Sequence, residues 1–393
     1  MPMRPCWVEI ETRNFENNYR FLAGVAPPRA QLLAIVKADA YGHSLAACAP
    51  AAIRAGARWL GVTSVEEGVA ARALCPGAQV LVMGGVFPGQ GPAVIAHQLA
   101  VVAWEPSHLD ELEAAARTVG AAPASVPVHL EIDTGMSRQG VSIEGLAAIL
   151  PRFHPHSPLR LDAVMTHLYA SDESNGLSTA SQLERLEQAL RSMAKTSRPE
   201  WLSVGASAAL LGNEAKIIAS LAARSEMKPM LRPGLALFGV IPRFEPPFES
   251  DPANLAAARQ HLRPVLSWKT RVASVRDVPA GADVGYNGTF VATEPMRLAL
   301  LAVGYADGLD RRLGNRFSLL VRGQRAPLVG RISMDQAVID VSEIPAVQAG
   351  DEVVILGTQG METISVFDHA AAAGTIPWEV FTRIDARVPR VEI

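Results

Sequence analysis

The sequence predicts a (β/α)8 barrel of the TIM type followed by a mostly β C-terminal domain. Three observations point there. Between Leu32 and Val240, eight short apolar runs recur, most of them followed by a turn and an Ala/Leu-rich amphipathic stretch. The segment Pro242–Pro264 breaks that rhythm with five prolines among polar residues. Beyond it, strand-like runs are separated by Gly- or Pro-containing turns rather than by helical stretches.

Taken in order, Trp7-Val8-Glu9-Ile10 alternates and precedes the first barrel unit, so segment 1–13 is read as a strand that joins the β domain. The barrel, 14–241, rests on Leu33–Val36, Trp59–Thr63, Val80–Met83, Ala100–Trp104, Val126–Ile132, Leu161–Met165, Trp201–Val204 and Leu235–Val240, with helices between them such as His108–Val119 and Ser181–Ala194. A doubly wound open sheet fits less well, because there are eight units and no G-x-G-x-x-G string. Residues 242–264 form a linker. Residues 265–393 form the β domain, with strands at Leu266–Val275, Arg297–Val303, Ser318–Val321, Gln336–Val341 and Glu352–Leu356.

A chain of 393 residues, 49% hydrophobic, accommodates two domains and a sizeable core. The net charge of −3 and scattered Lys and Arg exclude nucleic acid and anionic membrane as main partners, since both need a concentrated basic face. Cys6, Cys48 and Cys75 show no metal-ligand or C-x-x-C spacing, so neither a metal site nor a disulfide framework is expected. No signal peptide and no membrane-spanning run is read in the sequence, and a soluble cytoplasmic protein is expected.

Candidate chemistry gathers at the C-terminal ends of the barrel strands, the face that carries active sites in such folds. Lys37 lies in Ala34-Ile35-Val36-Lys37-Ala38-Asp39-Ala40-Tyr41-Gly42-His43. Burying an ammonium for packing is costly, so position leaves two readings, a functional amine or a lysine reaching solvent. Glu131-Ile132-Asp133-Thr134-Gly135-Met136-Ser137-Arg138 follows the fifth strand, and Arg138 is a site residue or a solvated arginine. Met165-Thr166-His167 ends the sixth, where a lone histidine is more often structural than catalytic. Ser207 follows the seventh strand and Arg232-Pro233-Gly234-Leu235 stands at the eighth. Loops after strands seven and eight commonly form a phosphate cup. Ser207 would bring a hydroxyl to it, and the backbone near Gly234 and Leu235 would bring amides. The β domain adds Gly285-Tyr286-Asn287-Gly288-Thr289-Phe290, Gly304-Tyr305-Ala306-Asp307-Gly308 and Gly330-Arg331-Ile332-Ser333-Met334-Asp335-Gln336.

Together and in this order, these strings resemble the motifs of alanine racemases, pyridoxal 5'-phosphate (PLP) enzymes, from the Trp7 strand to Arg387-Val388-Pro389-Arg390. The resemblance implies that Lys37 forms the Schiff base with PLP, that Tyr41, Ser207, Gly234 and Leu235 hold the phosphate, and that His167 lies against the pyridine ring. Arg232 would meet the pyridine nitrogen. An arginine cannot take up a proton, so that nitrogen would stay unprotonated and a long-lived carbanion would be suppressed. Arg138 and the Met334 N–H would take the substrate carboxylate, Tyr305 would line the substrate end, and Asp335 would orient it. By the same resemblance Lys37 takes the proton from the D enantiomer and Tyr286 from the L enantiomer. The protein would be a homodimer with shared sites, Tyr286 coming from the other subunit, and would supply D-alanine for peptidoglycan.

Two bases on opposite faces suffice to invert an α-carbon once the cofactor delocalises the carbanion. A phenol with an ordinary pKa of about 10 must fall by roughly 2–3 units to serve at neutral pH, and Arg138 and His167 are the expected sources. The chain departs from the family pattern at three places. Glu131 stands where many relatives have a carbamylated lysine that orients the arginine, and is expected to do that work itself or through a bound water or anion. Ala206 replaces a frequent asparagine. Trp378 replaces a frequent phosphate-binding tyrosine, and its indole N–H is the substitute donor. Rival readings are a racemase of broader range that accepts serine or other amino acids, a fold-related PLP amino-acid decarboxylase, a non-catalytic PLP-binding protein, and a barrel that binds no PLP. The decarboxylase would need a C-terminal cysteine signature, and no cysteine follows Cys75. The carrier would be a single barrel.

Overall fold

The computed structural model describes residues 4–193 and 198–393; Ala194, the last residue of the expected helix Ser181–Ala194, and positions 1–3 of the N-terminal segment lie outside the described residues. The chain forms two compact units. One gathers the N-terminal strand β1 (Cys6–Ile10), Tyr41–Ala47 and Pro264–Ile393; the other comprises Arg13–Ala40 and Cys48–Arg263.

In the second unit eight parallel strands close into a barrel: β2 (Gln31–Ile35), β3 (Trp59–Val62), β4 (Gln79–Val82), β5 (Ala100–Ala103), β6 (Val126–Glu131), β7 (Leu159–Met165), β8 (Trp201–Ser203) and β9 (Lys228–Leu231). Closure is made where Gln31 faces Met230 and Leu32 faces Leu231. Leu33, Val62, Val80, Val101, Val128 and Val164 are fully buried. Strands of a parallel barrel are covered on both faces, so their apolar runs are continuous rather than alternating. Gly61 on β3 is small for a packing reason, because a Cβ there would strike the side chains of Leu33 and Ile35.

Two expectations are corrected here. The eighth strand is Lys228–Leu231, not Leu235–Val240. Leu235–Phe238 is instead a 3-10 turn whose four side chains are all buried. The true strand contains Pro229, opposite Leu202, and a proline lacks the donor that marks a central strand. Nor is 242–264 a bare linker. Ala253–His261 is a helix with Leu255 and Ala258 buried. Asn254 Nδ2 donates to Val25 O and Leu210 O, and Asn18 Nδ2 donates to Leu237 O and Arg263 O, which ties this segment to the barrel unit.

In the other unit β1 pairs antiparallel with the long strand β10 (Leu266–Val278), Trp7 opposite Lys269, and parallel with Arg390–Glu392. A bulge between Val272 and Ser274 lets β10 also pair with Met296–Leu301, and on its other stretch β10 pairs with Glu352–Gln359. Trp268 is fully buried at the centre of this sheet, and Leu320, Val354 and Ile364 form a small cluster within it. Among the described residues the three cysteines are free and buried, no group of side chains could hold a metal ion, and no helix is long and apolar enough to cross a membrane.

Candidate active site

Lys37 is separated from the end of β2 by Val36 alone and is partly buried. Burial, reinforced by Arg138 and Arg232 and opposed by Glu67, holds its amine below the usual lysine range. The backbone then turns left-handed through Ala38, Asp39, Ala40 and Tyr41, all with φ between 51 and 54°. Non-glycine residues in that region cost about 1–2 kcal/mol each, so Lys37 sits at the head of a strained turn.

Arg232 follows β9 and is almost fully enclosed. Its Nη1 donates to Ser203 Oγ (3.0 Å), and its Nη2 donates to Thr166 O (2.8 Å) and to His167 Nδ1 (3.2 Å). It makes no ion pair among the described residues, and its Nε–H donates to nothing there. Burial pulls its pKa down to about 10, against the pull of Glu131. His167 is pushed down to about 3, by burial first and then by Arg232, Arg138 and Lys37. It is therefore neutral, with Nδ1 as acceptor. This corrects one expectation: His167 brings no positive charge that could stabilise a phenolate.

Glu131 ends β6, buried, with Oε2 accepting from Gln139 Nε2 at 2.5 Å. Burial raises its carboxyl above the ordinary range, while the Gln139 hydrogen bond, Arg232 and Arg138 pull the other way. The structure thus gives Glu131 a direct bond to Gln139, with Arg138 acting on it through charge. Arg138 itself is exposed.

With the eighth strand placed at Lys228–Leu231, Gly234 and Leu235 fall in the loop after it. Ser207, the first residue of the short helix Ser207–Leu211 that follows β8, accepts from the N–H groups of Gly234 and Ala236, both at 3.1 Å. The Gly234 amide is thus used within the cup. Leu235 opens the 3-10 turn, where no helical carbonyl is available to its N–H.

The sequence reading missed Gln182, which is buried on the helix Leu177–Ser192. Its Nε2 donates to Thr134 Oγ1 (3.1 Å) and His167 O (3.0 Å), and its Oε1 accepts from Tyr169 N–H (3.0 Å). Arg185 Nη1, one helical turn on, donates to Thr134 O. Thr134 and Thr166 share a hydroxyl contact of 2.8 Å. The loops carrying Arg138 and His167 are thereby joined. A glutamine on the apolar face of an amphipathic helix was the available signal.

In the β unit, Tyr286 lies in a short turn and is 70% exposed. Tyr305 N–H donates to Ser333 O and Ala306 N–H to Met334 O, so two of the glycine-containing motifs lie edge to edge. Gly304 permits this approach, since a Cβ would strike Met334 O. Asp307, fully buried, accepts from Arg4 (2.5 Å), from Arg387 (2.9 Å) and from Gly304 N–H (2.9 Å). Arg387 also reaches Asp335 at 2.8 Å. Tyr305 and Met334 remain substantially exposed. Tyr41 is buried, which pushes its hydroxyl up, and its carbonyl lies 2.9 Å from His43 Nδ1. Trp378 stands half-exposed in the helix Pro377–Thr382.

Residues 10–242 match the family model for the alanine racemase N-terminal domain, and residues 265–392 match the model for the alanine racemase C-terminal domain. An alanine racemase of Symbiobacterium thermophilum is 38% identical over 391 residues, covering 99% of this chain and 97% of that protein. The crystal structure of the alanine racemase from D-cycloserine-producing Streptomyces lavendulae superposes with a TM-score of 0.86 at 33% identity, covering 100% of this chain and 98% of that one. The Bartonella henselae alanine racemase with covalently bound pyridoxal phosphate superposes with a TM-score of 0.83 at 25% identity, covering both chains fully.

Proposed function

The chain belongs to the alanine racemase family, and from that premise we propose that it interconverts L- and D-alanine with PLP, using Lys37 and Tyr286 as its two bases. The observation that carries this reading is the barrel mouth itself. A partly buried amine of lowered basicity follows β2, and an enclosed arginine with no carboxylate partner among the described residues follows β9. These residues fit PLP. The unused Nε–H of Arg232 suits a pyridine nitrogen, the neutral His167 beside it suits an aromatic ring, and the Ser207 hydroxyl, seated by the Gly234 and Ala236 amides after strands seven and eight, suits a phosphate. Tyr41, Leu235 and Trp378 are proposed as further phosphate contacts on the family pattern.

When bound, PLP supplies the delocalisation that makes an α-proton removable. The chain supplies the rest. Arg138 and the Met334 N–H hold the substrate carboxylate, which fixes which face of Cα meets which base. Lys37, its basicity lowered by burial, takes or returns the proton on one face. Tyr286, helped by the Arg138 cation, does so on the other. Arg387 and Asp335 steady the Met334 segment. The exposure of Tyr286, Tyr305 and Met334 supports a homodimer in which a second copy covers these residues. The free, buried cysteines support a reducing, cytoplasmic setting, and peptidoglycan synthesis is the proposed use of the D-alanine.

The test is a chiral assay of purified protein with L-alanine, L-serine and a basic amino acid, together with its visible spectrum. Racemisation of alanine and a visible absorbance band from the lysine-bound cofactor are expected. A colourless protein inert on all three would overturn the reading. Serine turnover within roughly ten- to a hundred-fold of alanine is compatible with it, because one hydroxyl is worth only about 1–3 kcal/mol in such a pocket. A second expectation concerns Glu131. Glu131→Gln removes the charge that faces Arg138 and should raise KM for alanine several-fold. Unchanged kcat and KM would show that Glu131 does not orient Arg138.

A further inference from the structure

The left-handed turn after Lys37 has an external anchor. Ala38–Tyr41 are four consecutive non-glycine residues at φ 51–54°. A turn of this hand is steep in crowding for L-residues, and single left-handed residues are the rule. At its head, Glu67 Oε1 accepts from the N–H groups of Ala38 (2.6 Å) and Asp39 (3.3 Å), and Oε2 accepts from Thr63 N–H (2.8 Å). One carboxylate therefore binds both the turn and the end of β3, the strand next to β2. Glu67 is itself fixed. It stands in the first turn of the helix Val65–Leu74, and its own N–H donates to the capping Ser64 Oγ at 3.2 Å. Within the turn, Ala40 N–H also donates to Val36 O at 2.9 Å, a bond of helical spacing. Charge-assisted bonds from backbone amides to a carboxylate are among the stronger hydrogen bonds in proteins.

We propose that Glu67 is a positioning residue that holds the left-handed turn and thereby aims Lys37 into the barrel mouth. The proposal rests on the reading of Lys37 as the cofactor lysine. The carboxylate also faces the Lys37 amine electrostatically, opposing Arg138 and Arg232, while His167 nearby is neutral. Nothing in the family motifs assigns Glu67 a role, and it lies 28 or more positions from the amides it binds in the turn.

The test begins with borohydride reduction of the wild-type holoenzyme and peptide mapping. Label on another lysine would sink the Lys37 reading while leaving the turn anchor to be judged by itself. Amide exchange by mass spectrometry is then followed in the peptide carrying Ala38 and Asp39. Amine-reagent labelling of Lys37 across pH, in protein freed of cofactor, reports its basicity. Glu67→Gln keeps one acceptor but loses the charge. It is expected to speed exchange in that peptide by about ten-fold or more, to lower the Lys37 pKa by roughly one unit, and to weaken PLP binding by a similar factor. Glu67→Asp should recover part of each effect. If Glu67→Gln does not fold, Ser64→Ala, which frees the Glu67 helix start, should show the same signs at smaller size. A uniform fall in Tm, with local exchange and Lys37 basicity as in wild type, would reduce Glu67 to a structural residue and overturn the proposal.

Discussion

Lys37→Ala is expected to lose covalent PLP attachment altogether and at least about 10³-fold of racemase activity. Removing a positioned general base alone costs about 10²–10⁴-fold, and here the same amine also anchors the cofactor. The measurements are the visible spectrum and chiral chromatography of the product. Stability should move the other way. Burial, Arg138 and Arg232 hold the Lys37 amine below its ordinary pKa in the folded chain. A lysine whose folded pKa is depressed opposes folding fully at pH below that folded value, and the penalty fades as pH rises through the unfolded value. Near neutral pH the penalty is present, so cofactor-free Lys37→Ala should melt at or above the temperature of cofactor-free wild type in scanning calorimetry. A large drop in Tm would mean that Lys37 is there for packing, and that the lost activity reports misfolding.

That contrast bears on what could be read from sequence. Seven barrel strands were legible because a strand covered on both faces leaves a continuous apolar run that composition alone reveals. The eighth was misplaced because β9 carries Pro229, which reads as a strand breaker, whereas the all-apolar Leu235–Phe238 reads as a strand and is in fact a buried 3-10 turn. The helix Ala253–His261 was hidden by the prolines around it, although Pro252 is well suited to its N-terminus. Residues with a functional group at a strand end, such as Lys37, His167 and Arg232, were visible through their strings. Glu67, Gln182 and Gln139 were not. Each serves groups on other segments, and a hydrogen bond spanning 28 or 48 positions does not show its partner in the local pattern, so the most the sequence offered was the polar Gln182 on the apolar face of its helix. The protonation of His167 was likewise illegible, since it follows from enclosure beside Arg232 rather than from its neighbours in the chain.

Tyr286→Phe carries the second large effect, and symmetry dictates how it must be read. L- and D-alanine have equal free energies, so kcat/KM must fall equally in both directions whatever residue is changed. A drop of about 10²–10⁴-fold is expected from losing one acid–base group, but that alone cannot say which face Tyr286 serves. Exchange of the α-hydrogen with solvent can. With the phenol gone, Lys37 still reaches its own face, so D-alanine should take up solvent deuterium while remaining D, and L-alanine should keep its hydrogen. Exchange into L-alanine instead would invert the assignment of the two bases, and undiminished racemisation would remove Tyr286 from the reaction. The same variant tests the shared site. Tyr286 is largely exposed on its own chain, as expected if it completes a site on a second copy. In an equimolar mixture of Lys37→Ala and Tyr286→Phe, random exchange makes half the dimers mixed, and each mixed dimer rebuilds one intact site of two. Recovery of about a quarter of wild-type activity per subunit is therefore expected from a closed two-fold dimer. No recovery after mass spectrometry has shown mixed dimers would place both bases on one chain, and would leave the exposed Tyr286 without a role in catalysis across subunits.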